Sequence, residues 1–134
     1  MAVLNLDHIG IGVLDLDRAL KVYATDLGLH LEETETLESM KLKVAKLSTG
    51  NTLIELIQPL PGEETMSKAI ERRGEGIHHV CLTVDNVEAA TKLLFDRGYK
   101  PVWDKPRTGA SGRLVNFLSP KDTFGVLIEL SQKP

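Results

Sequence analysis

The chain has 134 residues and a single cysteine, Cys81, so it is long enough for one compact domain with a core and has no internal disulfide. Its net charge of −3, with both signs interspersed, argues against general nucleic-acid binding. No apolar run approaches the roughly 20 residues of a membrane span, and the first residues lack the pattern of a signal peptide. We therefore expect a cytoplasmic protein with neither a nucleic-acid nor a membrane partner.

The first half of the sequence predicts a strand, a helix and three further strands. An alternating, β-branched run predicts the first strand over 4–13, and the helix is predicted over 16–26. The helix has an apolar stripe formed by Leu16, Ala19, Leu20, Tyr23 and Leu27. Asp15 is its expected N-cap, and Gly28 stands where a left-handed residue usually ends a helix. The remaining strands are predicted near 29–37, 41–48 and 52–58.

The second half repeats this order after a linker over 59–75, which carries a short amphipathic helix around 65–73. A strand is predicted over 77–84 and a helix over 87–97, with Asp85 or Asn86 as its cap. The apolar stripe of this helix is Val87, Ala90 and Leu94, and Gly98 follows its end. Further strands are predicted near 99–103, 113–118 and 124–131.

The two halves are degenerate copies of each other. Residues 6–13 read LDHIGIGV and residues 77–84 read IHHVCLTV, and each half closes on a strand that contains a glutamate. We therefore predict an α+β fold in which two paired βαβββ modules, about 1–58 and 76–134, form a single domain. One module alone has a poor core and unpaired edges, so pairing into a curved sheet or half-barrel around a metal site is the expected architecture.

Strand alternation selects four side chains from this repeat. His8 and His79 point away from the aliphatic faces of their strands, and so do Glu55 and Glu129. Two imidazoles and two carboxylates suit one divalent first-row metal ion with open positions for substrate. The alternative is that backbone groups satisfy the two histidines while the glutamates face solvent.

These stretches resemble the vicinal oxygen chelate (glyoxalase/dioxygenase) superfamily over nearly the whole chain, and within it the methylmalonyl-CoA epimerase family. The superfamily-wide matches are LDHIGIGV at 6–13 and GVLIEL at 125–130. The runs GEGIHHV at 74–80 and KPRTGASG at 105–112 are more particular to the epimerases, and VDNV at 84–87 and SPK at 119–121 also match.

The resemblance implies an isomerase that interconverts (R)- and (S)-methylmalonyl-CoA by exchange of the α-proton through a metal-stabilised enediolate. It maps the family's metal ligands onto His8, Glu55, His79 and Glu129, and gives Glu129 an additional acid–base role. The implied ion is Co²⁺, Mn²⁺, Ni²⁺, Zn²⁺ or Mg²⁺, which the sequence does not distinguish. The implied partners are an acyl-CoA substrate and a second copy of the chain in a homodimer.

A loop over 107–112 is predicted to bring backbone N–H groups to the substrate, with Gly109 and Ser111 as contacts, and Lys121 is predicted to bind a substrate carboxylate or phosphate. An ordinary turn and a solvated lysine are the alternatives.

Two features depart from the family pattern. Ser119 stands where relatives commonly have histidine, and residues 40–45 carry no carboxylate for the opposite face of the substrate, so Glu38 or a metal-bound water remains for that role.

Two other functions remain open on the same scaffold. One is another metal-dependent reaction of the superfamily, such as that of a glyoxalase I-like lyase. The other is a metal-free small-molecule binding protein. Four intact ligand positions favour an enzyme over the binding protein, and the epimerase-like loops favour the epimerase over the lyase, although the fold alone decides neither.

Overall fold

The structure, a computed structural model, describes residues 1–134 and confirms the α+β class. The strands are β1 (Val3–Gly12), β2 (His30–Leu37), β3 (Leu42–Ser48), β4 (Leu53–Pro59), β5 (Gly76–Val84), β6 (Arg107–Thr108), β7 (Leu114–Leu118) and β8 (Ile128–Gln132). The α-helices are α1 (Leu16–Leu20), α2 (Thr65–Arg73) and α3 (Val87–Asp96), with a π-helical turn at Lys21–Asp26 and a 3₁₀ turn at Ala110–Gly112. No helix combines the length and the apolar character that a membrane crossing requires.

The chain divides into two compact units. The first unit is His8–His78, and the second joins Met1–Asp7 to His79–Pro134. Within the first unit the strand order is β2-β3-β4-β1, and within the second it is β5-β8-β7-β6. In each unit the strand that carries the histidine lies parallel to the strand that carries the glutamate, and the remaining pairs are antiparallel. Each unit therefore contains a mixed four-stranded sheet.

The first unit packs α1 against one face of its sheet. The core there consists of Val13, Leu16, Ala45, Leu47 and Leu56. Asp15 caps α1 as predicted, since its side chain accepts a hydrogen bond from the Arg18 N–H at 3.1 Å. The predicted stripe is wrong at Leu27, which is 63% exposed. The Leu27 N–H donates to the Val22 carbonyl five residues earlier, so the turn is wider than α-helical and Ala24 packs on the core instead.

The other face of the same sheet is partly covered by α2, which matches its predicted range. Met66 and Ile70 of α2 pack with Val44 and Ile57. A Cβ added at Gly12 would lie 3.3 Å from the Ile70 side chain, so close packing requires glycine there. Alternation led us to expect open space for a ligand beside the small residues of β1, and at Gly12 that space is filled by α2.

The second unit repeats this design with α3. Its core consists of Val84, Val87, Ala90, Leu94, Leu118 and Leu130. Asn86 is the cap of the helix, since its side chain accepts from the Ala89 N–H at 2.9 Å. Asp85 instead accepts a hydrogen bond from the Ala2 N–H at 3.0 Å, and this bond lowers the pKa of the Asp85 carboxyl below its ordinary value.

Two predicted strands of the second unit are wrong in extent. No strand forms over 99–103, where Pro101 makes only an isolated bridge to Leu118, because proline has no N–H to extend a ladder. The last strand begins at Ile128 rather than near 124. Phe124 and Gly125 both have positive φ, 58° and 93°, so the chain turns there and Val126 is exposed rather than on the aliphatic face.

Candidate metal centre

The first unit brings His8 and Glu55 together. In the parallel pairing of β1 and β4, Gly10 lies opposite Glu55, and Gly10 shares the face of His8 two residues earlier. Nδ1 of His8 lies 3.0 Å from Oε2 of Glu55, and both side chains are only 7% exposed. Residues that are 47 positions apart in sequence thus meet because the first and last strands of the repeat are neighbours.

The second unit contains the equivalent pair. Nε2 of His79 lies 3.0 Å from Oε1 of Glu129, and these side chains are 6% and 12% exposed. Cys81, two residues after His79, lies opposite Glu129 in the pairing of β5 and β8, as Gly10 lies opposite Glu55. The Phe117 and His79 rings are nearly perpendicular, with their centroids 5.9 Å apart. The same construction therefore occurs in each unit, at corresponding strand positions.

The burial of these groups contradicts the alternative in which the glutamates face solvent. A carboxylate removed from water requires a charge-compensating or hydrogen-bonding partner, and the imidazole is that partner in each pair. The donors also fit a divalent ion. Imidazole nitrogens and carboxylate oxygens are ligand types that a divalent first-row ion takes.

A buried lysine beside the first pair is a residue that we did not predict. Lys46 lies opposite Glu55 in the pairing of β3 and β4 and therefore shares its face. Its Nζ lies 3.1 Å from Oε1 of Glu33, the residue opposite it on β2, and its side chain is 9% exposed. The signal was available in the sequence, because Ala45 and Leu47 on either side are aliphatic and alternation turns Lys46 to the face of Glu55.

The predicted substrate contacts lie in two loops of the second unit. Gly109 is buried, and its N–H already donates to the Arg113 carbonyl at 2.8 Å, so that N–H is engaged within the loop. Ser111 is exposed with a φ of 57°. Lys121 is also exposed, and its backbone N–H donates to the Ser119 hydroxyl at 3.3 Å. Their contact with a substrate remains a prediction.

The chain is similar over most of its length to known proteins. A family model described as the Glyoxalase/Bleomycin resistance protein/Dioxygenase superfamily matches residues 7–117. The mitochondrial methylmalonyl-CoA epimerase of Mus musculus is 36% identical over 129 residues, which cover 96% of this chain and 72% of that protein.

Solved structures extend the similarity to the fold. The crystal structure of methylmalonyl-CoA epimerase from Mycobacterium tuberculosis has a TM-score of 0.91 at 34% identity, covering 98% of this chain and 89% of that one. A methylmalonyl-CoA epimerase in complex with methylmalonyl-CoA and NH4+ has a TM-score of 0.90 at 31% identity, covering 98% and 96%. The similarity therefore includes both units rather than one of them.

The ion pair of Lys46 provides a stability test. We expect Glu33→Gln to lower the free energy of unfolding by about 1 kcal/mol, because the neutral amide leaves the buried ammonium group with a weaker partner. Glu32→Gln, at the neighbouring exposed position on β2, is the matched control and should change stability by less than about 0.5 kcal/mol. Urea denaturation measures both, and equal losses would contradict a specific role of the pair.

Proposed function

We propose, from the premise that this chain belongs to the Glyoxalase/Bleomycin resistance protein/Dioxygenase superfamily, that it is an isomerase that interconverts the (R) and (S) forms of methylmalonyl-CoA. Relatives named methylmalonyl-CoA epimerase align with 96% of the chain and support this substrate. The observation that carries the chemistry is the pair of buried imidazole–carboxylate contacts, one in each unit. We propose His8, Glu55, His79 and Glu129 as ligands of one divalent ion.

The donor set fits the reaction as well as the ion. The α-proton of methylmalonyl-CoA lies between a thioester carbonyl and a carboxylate, and its removal places negative charge on the thioester oxygen. A bound divalent ion would supply Lewis-acid stabilisation of that charge. Glu55 and Glu129 together balance the charge of such an ion, and His8 and His79 are neutral donors that leave the balance unchanged.

Within this set, Glu129 is the proposed proton acceptor. Its carboxylate takes the α-proton, and the electron pair of the carbon–hydrogen bond moves into the thioester carbonyl to give an enolate. Return of a proton to the opposite face inverts the carbon and restores the thioester. His79, 3.0 Å from the carboxylate, restricts its orientation.

The donor for the opposite face is not among these four residues. Glu38 lies in the turn between β2 and β3, where its carbonyl accepts from the Lys41 N–H, and its side chain is exposed. Ser119, at the position of the relatives' histidine, directs its hydroxyl to the Lys121 N–H. Glu38 and a water molecule are therefore the two proposed proton donors to the opposite face of the substrate.

An acyl-CoA thioester is the proposed ligand, and a homodimer is the proposed assembly. The complex of a related epimerase with methylmalonyl-CoA supports the ligand. For the assembly, the support is two exposed apolar side chains that share one face of β1, Leu4 and Leu6.

Solvent exchange at the α-carbon tests the reaction. In D2O the metal-loaded protein should replace the C2 hydrogen of methylmalonyl-CoA with deuterium, because the abstracted proton exchanges with solvent before it returns. NMR or mass spectrometry follows the exchange, and EDTA should reduce it to the uncatalysed rate. An absence of exchange with a full complement of metal would contradict the proposed reaction.

Metal stoichiometry tests whether the two pairs serve one ion. After dialysis against a divalent salt and then buffer, elemental analysis should give one ion per chain. His8→Ala and His79→Ala should each abolish binding, because each removes one of four ligands. His30→Ala, exposed on β2, is the matched control and should retain the ion. Two ions per chain, each lost in only one variant, would contradict a shared site.

The two glutamates should differ in catalysis. Glu129→Gln should lower kcat at least about 100-fold, since it removes a proton acceptor, and general acid–base groups contribute about 10²–10⁴-fold. Glu55→Gln should lower kcat less than about 10-fold, because an amide oxygen still serves as a ligand. Metal content is measured in both variants so that loss of the ion is separated from loss of the base. Equal effects at equal metal content would contradict the division of roles.

A further inference from the structure

The sheet of the first unit has a donor face, the face that carries His8 and Glu55, and a charged row crosses it. The strand pairings place Gly10, Glu55, Lys46 and Glu33 side by side on β1, β4, β3 and β2. Across an antiparallel pair such as β3 and β4, opposite residues share one face and have Cβ atoms about 5 Å apart. Lys46 is therefore the side chain next to Glu55, which is the only member of the row with a proposed role.

The two ends of the Lys46–Glu33 ion pair differ in their exposure to water. The Lys46 side chain is 9% exposed, whereas that of Glu33 is 50% exposed. On the same face, Val44 lies two residues before Lys46 and packs with Met66 of α2, so the row borders a covered part of the sheet. Water screens the Glu33 carboxylate more than the buried ammonium group. The ion pair as a whole therefore presents a positive potential to the donor face.

Stability alone is a weak reason to bury a lysine at this position. A buried ion pair commonly stabilises a protein no more than apolar side chains of the same volume would. The preceding residue on the same face, Val44, is apolar and buried, so the site accommodates an aliphatic side chain. A charge next to a proposed metal ligand has a chemical use that an aliphatic side chain lacks.

A buried positive charge has two opposite effects beside a cation site. It repels a divalent ion and so weakens the binding of that ion. It also attracts the enolate that forms when the α-proton of the substrate leaves, and fixed charges of this kind are among the largest contributions to catalysis. The carboxylate of Glu33 acts in the reverse sense on both, with less effect because it lies partly in water.

We propose that Lys46 supplies positive charge to the proposed metal centre, where its ammonium group stabilises the enolate and lowers the affinity of the centre for a divalent ion. This inference rests on the proposed function for the reaction and for the role of Glu55. It adds a residue that is neither a ligand of the ion nor the acceptor of the α-proton.

Lys46→Met tests both effects, because methionine retains an unbranched side chain and removes the charge. The affinity for Mn²⁺, measured from the EPR signal of the free ion, should rise at least about 10-fold. With methylmalonyl-CoA at saturating Mn²⁺, kcat should fall at least about 10-fold. A purely structural role predicts a different pattern, in which a displaced Glu55 weakens Mn²⁺ binding and lowers kcat together.

Two further variants act as controls. Glu33→Gln removes the opposite charge and should weaken Mn²⁺ binding, by a smaller factor than the gain in Lys46→Met. Lys43→Met makes the same change of net charge on the same strand, but alternation turns Lys43 to the opposite face, so its Mn²⁺ affinity and kcat should stay close to those of the wild type. Urea denaturation establishes that each variant is folded under the assay conditions.

The outcomes separate this inference from the proposed function. Weaker Mn²⁺ binding or an unchanged kcat in Lys46→Met, or equal shifts in Lys43→Met, would overturn the inference even if the wild type exchanges the C2 hydrogen. A wild type that binds Mn²⁺ without C2 exchange would contradict the proposed function. Opposite shifts of Mn²⁺ affinity in Lys46→Met and Glu33→Gln would still identify Lys46 as a charge of the metal centre.

Discussion

The structure depends on one contact made twice, a buried carboxylate against a buried imidazole. In an apolar strand a glutamate side chain is costly to bury, and the adjacent parallel strand compensates by presenting a histidine at 3.0 Å. Each pair requires the first and last strands of its module to be neighbours, so the contact constrains the strand order as well as the donor atoms. The helices α1 and α3 cover the opposite faces, where the two larger apolar clusters lie, and α2 packs on part of the donor face of the first unit.

The internal repeat made the four donor residues predictable from the sequence. His8, Glu55, His79 and Glu129 were selected because alternation holds within regular strands and because each residue recurs at a matching place. In the structure the two members of each pair are in contact, and the binding of one ion by all four residues is a proposal. The same alternation applies to Lys46, which lies between two aliphatic residues and shares the face of Glu55.

The predictions that the structure contradicts fall where the regular periodicity of a helix or strand ends. The π-helical turn changes the rotation about the helix axis from one residue to the next. The α-helical spacing therefore predicted Leu27 in the core, whereas Ala24 packs there and Leu27 is exposed. Around Phe124 the backbone enters the left-handed region, which hydrophobic patterning does not detect. Beyond Pro101, the Trp103 backbone N–H donates to the Asn116 side chain rather than to a neighbouring strand, and a local window of sequence does not encode such a tertiary contact.

Closure of each module by its first and last strands has a kinetic consequence. His8 meets Glu55 across 47 positions of chain, so loop-closure entropy opposes this contact until the intervening strands have assembled. The two members of each pair therefore meet late in the assembly of their module. An ion bound by both members, as proposed, would stabilise that closure and add to the free energy of unfolding of the finished module.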